Sequence, residues 1–417
     1  MNRANFINNF KIIITLFLFV VESFLFKLDD MTGLGITIPL MITNIFYVFF
    51  LLFYRCNNSD KKLNTVIFIS FLIRNVTLIL DLKGYNVGFN GGDSDGFYLA
   101  ATKQIDFQNH YVSFLEILFA MMGESRAVAQ YFNIIASVFS LVIFKKTLQL
   151  ICTSYKQVFV SLCIFSFAPA NMLVSSALLR EPIIIFCNCI SLFCFIKWYK
   201  ENNIKYFLIS FLFVFFSSVF HSGMLLTALG YAIAFVVYNH QYRKIIIYKQ
   251  TLFAIFLLVF AFLGAYHLFG GSVTTYFDRI EHLEDISGKF NVGSTDYLLF
   301  TNNISSKFLI ILYTPLRMLY FYLSPMIWDC RTFNVLLVCL FSSSIYFFLF
   351  FNIFKYKSYD KNLKIILLIV LLLLSFTYGW GCSNSGQSMR HREKVLPFVI
   401  VLYAIKYRKY DLIKNNN

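Results

Sequence analysis

The composition of this 417-residue chain is typical of an integral membrane protein. Hydrophobic residues make up 59% of the sequence and charged residues only 14%, whereas a soluble domain is about half apolar and a quarter charged. A net charge of +15 would indicate nucleic-acid binding in a soluble protein, but in a membrane protein it follows from basic residues kept on the cytoplasmic side. We therefore exclude a soluble fold and a nucleic-acid partner, and expect a lipid bilayer around the chain.

Apolar stretches recur along the whole sequence, and many approach the length of about 20 residues that a helix needs to cross a bilayer. Most of the 36 Lys and Arg residues lie in alternate gaps between these stretches, which predicts that those gaps and both termini are cytoplasmic. The sequence thus predicts an all-α, polytopic membrane protein with about twelve transmembrane helices in a single membrane domain, residues 1–417. The predicted spans are 10–26, 36–54, 65–82, 127–144, 157–172, 182–196, 206–220, 223–238, 251–269, 332–354, 365–379 and 395–405.

Two long outer loops are predicted, at residues 83–126 and 270–331. Each contains an apolar segment, Tyr111–Met122 and Lys307–Pro325, that we expect to form an amphipathic helix on the outer side. If the second segment crossed the bilayer, the basic gap after span ten would face outward, against the positive-inside rule. We therefore predict interfacial or re-entrant helices, which are allowed where protein or water covers the backbone.

The first polar motif on the outer side is residues 91–98 (GGDSDGFY), where predicted span three leaves the membrane. Adjacent glycines let the backbone approach a ligand closely, and carboxylates at Asp93 and Asp95 could act as a base or share a cation. Gly, Asp and Ser are also common in ordinary turns. The pattern alone leaves a functional loop and a solvated turn equally open.

The second motif is Arg180-Glu181-Pro182, in a very short outer loop between two apolar spans. Proline in the first turn with a glutamate beside it predicts the start of a helix. Arg180 lies on the outer side against the positive-inside trend. Because guanidinium groups bind phosphate oxygens well, a functional role is favoured over simple contact with lipid head groups.

Two further motifs place polar groups at the predicted outer face. His221 lies at the tip of a hairpin between spans seven and eight, where a polar residue at that depth indicates either a functional or a structural histidine. Residues 389–394 (MRHREK) precede the last span and carry several basic groups. Such a cluster predicts an anion site, with a diphosphate as the natural ligand and head-group anchoring as the alternative.

Arginines, carboxylates and a histidine on one side of a membrane suit glycosyl transfer from a polyprenyl-diphosphate donor. Arginines would neutralise the departing diphosphate, and a carboxylate or histidine would take the proton from the acceptor hydroxyl. The sequence has no Walker loop, no dinucleotide fingerprint and no metal-ligand spacing of His, Cys or carboxylates. We therefore expect no metal and no cofactor.

The order and sidedness of these motifs resemble those of Wzy-type O-antigen and exopolysaccharide polymerases, in particular the EpsG-like branch. The matching segments are DSDGFY (93–98), LRE (179–181), HS (221–222), PMIW (325–328) and RHR (390–392). The similarity covers about residues 65–405. The chain departs from some of these polymerases in having no paired Arg-x10-Gly elements in its outer loops.

The resemblance implies a GT-C-like transferase of the bacterial inner membrane. It would join undecaprenyl-diphosphate-linked oligosaccharide repeats at the periplasmic face, with a chain-length regulator as a candidate partner. The residues expected to bind the diphosphate are Arg180, Arg390 and Arg392. The catalytic candidates are Asp93, Asp95, Glu181 and His221. Either aspartate would be the base, while Glu181 and His221 would orient Arg180 or the acceptor.

Three other classes remain open. A polysaccharide flippase or transporter would carry its charges in a central cavity, and only Glu22, Arg74 and Asp81 lie in or near the predicted spans. A membrane O-acyltransferase could use His221, but its acyl donor would enter from the cytoplasmic side, where the chain offers only short basic loops. An O-antigen ligase uses nearly the same donor and chemistry, so only motif similarity separates it from a polymerase.

Overall fold

The computed structural model of this chain describes residues 34–54, 56–85, 92–268, 307–330, 333–382 and 384–405. Predicted span one and most of the second predicted outer loop lie outside the described residues. In chain order the α-helices are α1 (Leu34–Phe53), α2 (Asn58–Leu82), α3 (Asp93–Ala101), α4 (His110–Met122), α5 (Arg126–Ile151), α6 (Tyr155–Phe167), α7 (Pro169–Ser176), α8 (Glu181–Glu201), α9 (Ile204–Phe220), α10 (Leu225–Val237), α11 (Lys249–Leu268), α12 (Lys307–Leu323), α13 (Phe333–Val338), α14 (Ser344–Lys355), α15 (Lys361–Gly381) and α16 (Ser385–Ala404).

Short irregular elements complete the described secondary structure. Strands β1 (Tyr238–Asn239) and β2 (Lys244–Ile245) pair antiparallel as a two-stranded hairpin. Two 3-10 turns occur at Ser222–Met224 and Ile327–Asp329, and a π-helical turn at Cys339–Ser343 leads into α14. The prediction of an α-helical chain is therefore confirmed for the residues that the structure describes.

Four of the described helices are long and apolar enough to cross a membrane, which supports a membrane protein. They are Asp60–Leu82, Arg126–Ile151, Glu181–Glu201 and Lys361–Gly381. Helices α6 and α7 count as a fifth span only as a bent pair, with an angle of 50° between them. The bend follows from Pro169, because a proline disfavours helical backbone at the preceding residue, and Ala168 has a ψ angle of 118°. Predicted span five is thus a broken helix.

Within the described residues, the predicted spans after the first coincide with helices in position, and three segments differ in detail. Helix α3 begins at Asp93, where the sequence analysis predicted either a functional loop or a solvated turn. The acidic residues in its first turn stabilise the helix because they interact with the positive end of the helix dipole. Predicted span ten is interrupted by the π-helical turn between α13 and α14. Helix α16 begins at Ser385, well before the predicted start of span twelve, and the Asn384 side chain caps it by accepting from the Gln387 amide at 2.9 Å.

The chain divides into two compact units, Met1–Val142 with Asn171–Ile183 and Ile143–Ala170 with Ile184–Asn417. The prediction of one membrane domain stays a prediction. In the first unit α1 packs on α2 and α3 packs on α4. Arg74 of α2 is fully buried, and its Nε donates to Ser175 Oγ at 2.7 Å. The carboxylate of Asp81 accepts from Gln130 Nε2 at 2.8 Å.

The second unit is built around α16, which packs against α6, α12, α14 and α15. From Arg392 to Ile405 every residue of this segment is buried, so the helix is enclosed on all faces. Helix α15 also packs against α10, where a Cβ added at Gly230 would lie 2.7 Å from Val370 Cγ2. A small residue at this point lets the two helix backbones approach closely.

Candidate functional site

In the first unit, the Asp-Ser-Asp motif occupies the first turn of α3. Asp93 is exposed, and Asp95 forms an ion pair with Arg126 at the start of α5, with 2.5 Å between Oδ1 and NH1. The same guanidinium donates to Ser94 Oγ at 3.1 Å. The two carboxylates therefore differ in exposure: Asp95 is half-buried beside an arginine that the sequence reasoning had not assigned, and Asp93 is exposed.

Arg180 and Glu181 lie near the same motif in this unit. The Arg180 guanidinium is 6.0 Å from the centre of the Phe97 ring, close enough for a cation–π contact. Glu181 is fully buried at the first position of α8, which confirms the predicted helix start. Thus the Arg-Glu motif and residue 97 of the first motif, distant in sequence, meet within the first unit.

Asn133 of α5 positions the backbone that leads into Arg180. Its Nδ2 donates to the carbonyl oxygens of Ala177 at 2.8 Å and Leu179 at 2.9 Å. These two bonds hold a buried turn, in which the Leu179 amide also donates to the Ala177 carbonyl at 2.9 Å, since buried carbonyl groups require hydrogen-bond partners. Asn133 is therefore a positioning residue for the Arg-Glu motif.

Tyr111 of α4 lies between the two motifs of the first unit. Its ring makes an edge contact with Phe97, with 5.0 Å between ring centres, and its hydroxyl accepts from Asn133 Nδ2 at 3.5 Å. Burial raises the pKa of Tyr111, and the nearby Glu181 carboxylate raises it further, against the opposing effects of Asn133 and Arg180. The phenol is thus kept as a neutral hydrogen-bonding group.

The second unit contains a cluster of His221, Tyr378, His391 and Lys394, which we call the histidine cluster. The rings of His221 and His391 are 4.9 Å apart at an angle of 69°. Lys394 Nζ lies 2.8 Å from His391 Nδ1, and Tyr378 Oη lies 3.4 Å from His221 Nδ1. The hairpin tip and the Arg-rich motif, predicted separately, therefore lie together in this unit.

Several contacts hold the histidine cluster in place. The Tyr378 hydroxyl donates to Met224 Sδ at 3.0 Å, which ties α15 to the turn after His221. Asn188 Nδ2 donates to the Lys394 carbonyl at 2.9 Å. A Cβ added at Gly223 would lie 3.2 Å from Thr377 Cγ2 and 3.3 Å from His221 Nδ1, so the tip sits closely against α15.

The residues of the histidine cluster and the hairpin tip differ in their exposure to solvent. Ser222 at the hairpin tip is exposed, His221 and His391 are half-buried, and Lys394 is fully buried. The exposure of these side chains therefore decreases from the hairpin tip to the lysine.

More positive charge lies close to the histidine cluster. Burial raises the pKa of the Cys382 thiol to about 12, while Ser388 and the charges of Lys394, Arg317 and Arg390 act in the opposite direction. Three cationic side chains are thus within electrostatic reach of one thiol at the end of α15. Arg317 NH1 also donates to the Cys382 carbonyl at 3.1 Å, and its guanidinium lies 5.1 Å from the Trp380 ring centre.

Arg392 has a different environment from its neighbours in the motif. It is fully buried, and its guanidinium donates to the Tyr322 and Ser324 carbonyls at 2.8 and 2.5 Å and to Ser342 Oγ at 2.6 Å. These bonds join α16 to the end of α12 and to the π-helical turn. The placement favours a structural role for Arg392 over the diphosphate binding expected from the sequence.

Glu393 accompanies Arg392 in the same buried environment. Its Oε1 is 4.0 Å from Arg392 Nε and accepts from the Tyr346 hydroxyl at 3.2 Å. Glu393 precedes the predicted last span, and burial raises the pKa of its carboxyl group to about 7, against the opposing effects of Arg392 and Tyr346. This pair is therefore a buried connection between α14 and α16.

The predicted site residues divide between the two units. Asp93, Asp95, Arg180 and Glu181 belong to the first unit, and His221, Arg390 and Arg392 belong to the second. The residues that the sequence reasoning missed are Arg126, Tyr111, Asn133 and Tyr378, whereas His391 and Lys394 lay in the predicted basic motif without a role of their own. Arg126 carried a usable signal, since it is basic on the predicted outer side, as Arg180 is. Tyr378 and Asn133 carried none, because aromatic and amide residues are common in such helices.

Among the described residues, no group of three or more His, Cys, Asp and Glu side chains is arranged to hold a metal ion. Comparisons of the chain with protein-family models, with characterised proteins and with solved structures find no match.

Proposed function

We propose that this protein is a polysaccharide polymerase of the bacterial inner membrane. It would join undecaprenyl-diphosphate-linked oligosaccharide repeats at the periplasmic face, in a GT-C-like arrangement of about twelve spans with both termini cytoplasmic. The observation that carries the proposal is the contact between His221 and His391, whose motifs lie far apart in the sequence. The contact between Arg180 and Phe97 supports it in the first unit.

The proposed reaction is a glycosyl transfer. The acceptor hydroxyl oxygen forms a bond to the anomeric carbon of the donor repeat, the bond from that carbon to the diphosphate breaks, and polyprenyl diphosphate leaves with the electron pair. Arg180 in the first unit and Arg390 in the second unit are each candidates to bind and neutralise the diphosphate, since guanidinium groups form paired hydrogen bonds to phosphate oxygens. No step needs a redox partner.

A general base must take the proton of the acceptor hydroxyl. Asp93 is the better of the two proposed carboxylates, because it is the more exposed of the two, in the first turn of α3. Asp95 would then orient Arg126 and Ser94 within the motif. Glu181 and His221 remain supporting candidates, and a chain-length regulator remains a candidate partner.

The test is the surface-glycan ladder of a deletion strain that is complemented with wild type, Arg180→Ala or Lys205→Ala. Lys205 is an exposed basic residue outside the proposed site and serves as the matched control. We expect a core carrying a single repeat without the gene, a full ladder with wild type and with the control, and no ladder with Arg180→Ala. Equal protein levels of all three variants in the membrane fraction are required.

Other outcomes identify the competing classes. Loss of all polymeric and single-repeat glycan from the surface, with lipid-linked polymer retained in the membrane, would indicate an O-antigen ligase. Accumulation of lipid-linked single repeats on the cytoplasmic side would indicate a flippase. An unchanged ladder with altered acetylation would indicate an O-acyltransferase, and each of these results would contradict the proposal.

A further inference from the structure

The connection between α10 and α11 carries a concentration of positive charge. We call it the basic β-hairpin; it runs from Tyr238 to Lys249 and contains β1 and β2. Its cations are Arg243, Lys244 and Lys249, and all three residues are exposed. The sequence has no Asp or Glu between residues 202 and 277, so no carboxylate of the hairpin or of the two helices that it joins offsets this charge.

One side of the basic β-hairpin is fixed to the second unit by aromatic contacts. Tyr238 is buried, and its ring centre lies 4.4 Å from that of Tyr199. The ring centre of His240 lies 4.9 Å from that of Trp198. The hairpin therefore has an inner side that packs on α8.

Hydrogen bonds fix the turn of the basic β-hairpin as well. The Tyr242 amide donates to Asn239 Oδ1 at 3.1 Å, and Asn362 Nδ2 of α15 donates to the Arg243 carbonyl at 2.9 Å. Arg243 has a φ angle of 50°, a left-handed conformation that is uncommon for a residue with a side chain. The fold thus holds this arginine at a defined place on the outer side of the hairpin.

The outer side of the basic β-hairpin combines its cations with exposed apolar groups. Tyr242, Ile247 and Tyr248 are 62%, 59% and 64% exposed, respectively. Tyrosines are enriched at the membrane–water interface, where their rings lie at the level of the head groups and long basic side chains reach the phosphates. Because α10 and α11 correspond to predicted spans eight and nine, their connection is expected at that interface.

The start of α15, which the hairpin contacts through Asn362, adds positive charge at Lys361, an exposed residue. Asp360 is the acidic residue of this turn. Its Oδ1 accepts from the Tyr199 hydroxyl at 2.8 Å and from the Leu363 amide at 2.9 Å. Among the residues that the structure describes, no carboxylate forms an ion pair with the three cations of the hairpin. The surface is therefore positive.

We propose that the basic β-hairpin is a docking surface for anionic phospholipid head groups of the surrounding bilayer. The positive-inside rule predicts this connection on the cytoplasmic side, where the leaflet carries anionic lipids that attract clustered Lys and Arg residues. The cations contact lipid phosphates, and Tyr242 and Tyr248 lie between the head groups. The basic β-hairpin and the histidine cluster lie at opposite ends of α10 and α15, so this inference does not depend on the proposed glycosyl transfer.

The test uses purified full-length protein in nanodiscs of phosphatidylcholine with a rising fraction of phosphatidylglycerol. A lipid that binds only the folded state raises the melting temperature, so the fraction at which the rise is half complete measures apparent affinity. The variants are Arg243→Gln and Lys244→Gln. Lys103→Gln is the matched control, because Lys103 is also an exposed basic residue with a positive φ angle, 59°, but belongs to the first unit.

We expect phosphatidylglycerol to raise the melting temperature of wild type. Each of the two variants should need about fivefold more of this lipid for the same rise, since each has lost one cation near an anionic surface. The control should respond as wild type does, and all four proteins should melt alike in phosphatidylcholine alone. High salt should reduce the difference between wild type and the variants, because it screens exposed charges.

Several results would overturn the inference. One is a folded Arg243→Gln or Lys244→Gln protein that responds to phosphatidylglycerol as wild type does; if the first does not fold, the second decides. Another is an equal loss of response in Lys103→Gln, which would indicate a general effect of net charge. Glycerol phosphate and polyglutamate are added separately to phosphatidylcholine nanodiscs. A rise in melting temperature as large as that with the lipid would assign the surface to a soluble anion or to an acidic polymer, respectively.

Discussion

The two sides of α16 differ in what their charged groups contact. On one side, Arg392 and Glu393 bond to α12, α14 and the π-helical turn through carbonyl, hydroxyl and phenol groups. On the other side, His391 and Lys394 contact each other, Tyr378 and His221. Neighbouring residues of one basic motif therefore contact different elements of the second unit.

This difference predicts unequal contributions to stability. The Arg392 guanidinium donates three hydrogen bonds to buried protein oxygens and connects α16 to α12 and the π-helical turn. In the histidine cluster, by contrast, Lys394 adjoins an imidazole. Replacing Arg392 should therefore lower the stability of the fold more than replacing Lys394.

The largest expected effect is that of Arg392→Met on stability. The change removes hydrogen bonds to the Tyr322 and Ser324 carbonyls and leaves Glu393 buried without its cation. Breaking a buried pair in this way should lower the free energy of unfolding by about 3–5 kcal/mol. Thermal unfolding of the purified full-length protein measures this. Arg390→Met is the matched control on the other side, and equal melting temperatures of the two variants would contradict the comparison.

The second effect concerns pH and is expected from Glu393. Burial raises the pKa of its carboxyl group in the folded protein to about 7, above its ordinary value of 4.5. The folded state thus holds this proton more tightly, so stability is greatest below pH 4.5 and falls by a few kcal/mol as the pH rises to about 7. Glu393→Gln should flatten the decrease, which unfolding measured between pH 4.5 and 8 would detect. A decrease that persists in the variant would assign it to another group.

A third, smaller effect separates Lys394 from Arg392. Replacing a buried cation that adjoins other basic groups by an apolar residue is often nearly neutral, so Lys394→Met should change the unliganded stability by about 1 kcal/mol or less. If Lys394→Met destabilises the protein as strongly as Arg392→Met does, both sides of α16 are structural.

The smallest effect is expected in the first unit, at the ion pair of Asp95 and Arg126. The two side chains are 49% and 28% exposed, respectively, and such pairs contribute about 0–1 kcal/mol because water and salt screen them. Asp95→Asn should therefore leave the melting temperature nearly unchanged, whereas replacement of the buried Arg392 should lower it. A double-mutant cycle with Arg126→Gln measures the coupling energy. A value above about 2 kcal/mol would show that exposure does not explain the difference.

The sequence by itself determined the helical membrane character, the places of the apolar helices and the start of α8 at Glu181. These features follow from local properties: the transfer free energy of each side chain, and the preference of Pro and Glu for the first turn of a helix. Pro169 also indicated the helix break at Ala168, because a proline disfavours helical backbone at the residue before it. The apolar pattern, which continues across this position, did not indicate the break.

Only the tertiary structure decided which charged groups share a site. Helical periodicity alone predicts that Arg392 points away from Arg390 and Lys394. It does not predict that α12 and α14 cover one side of α16, or that the hairpin tip and α15 pack against the other side. In the same way, no local signal placed Asn133 against the Ala177 and Leu179 carbonyls. The physical reason is that a charge takes its role from the donors and acceptors packed around it. Those neighbours come from distant parts of the chain, which folding alone brings together.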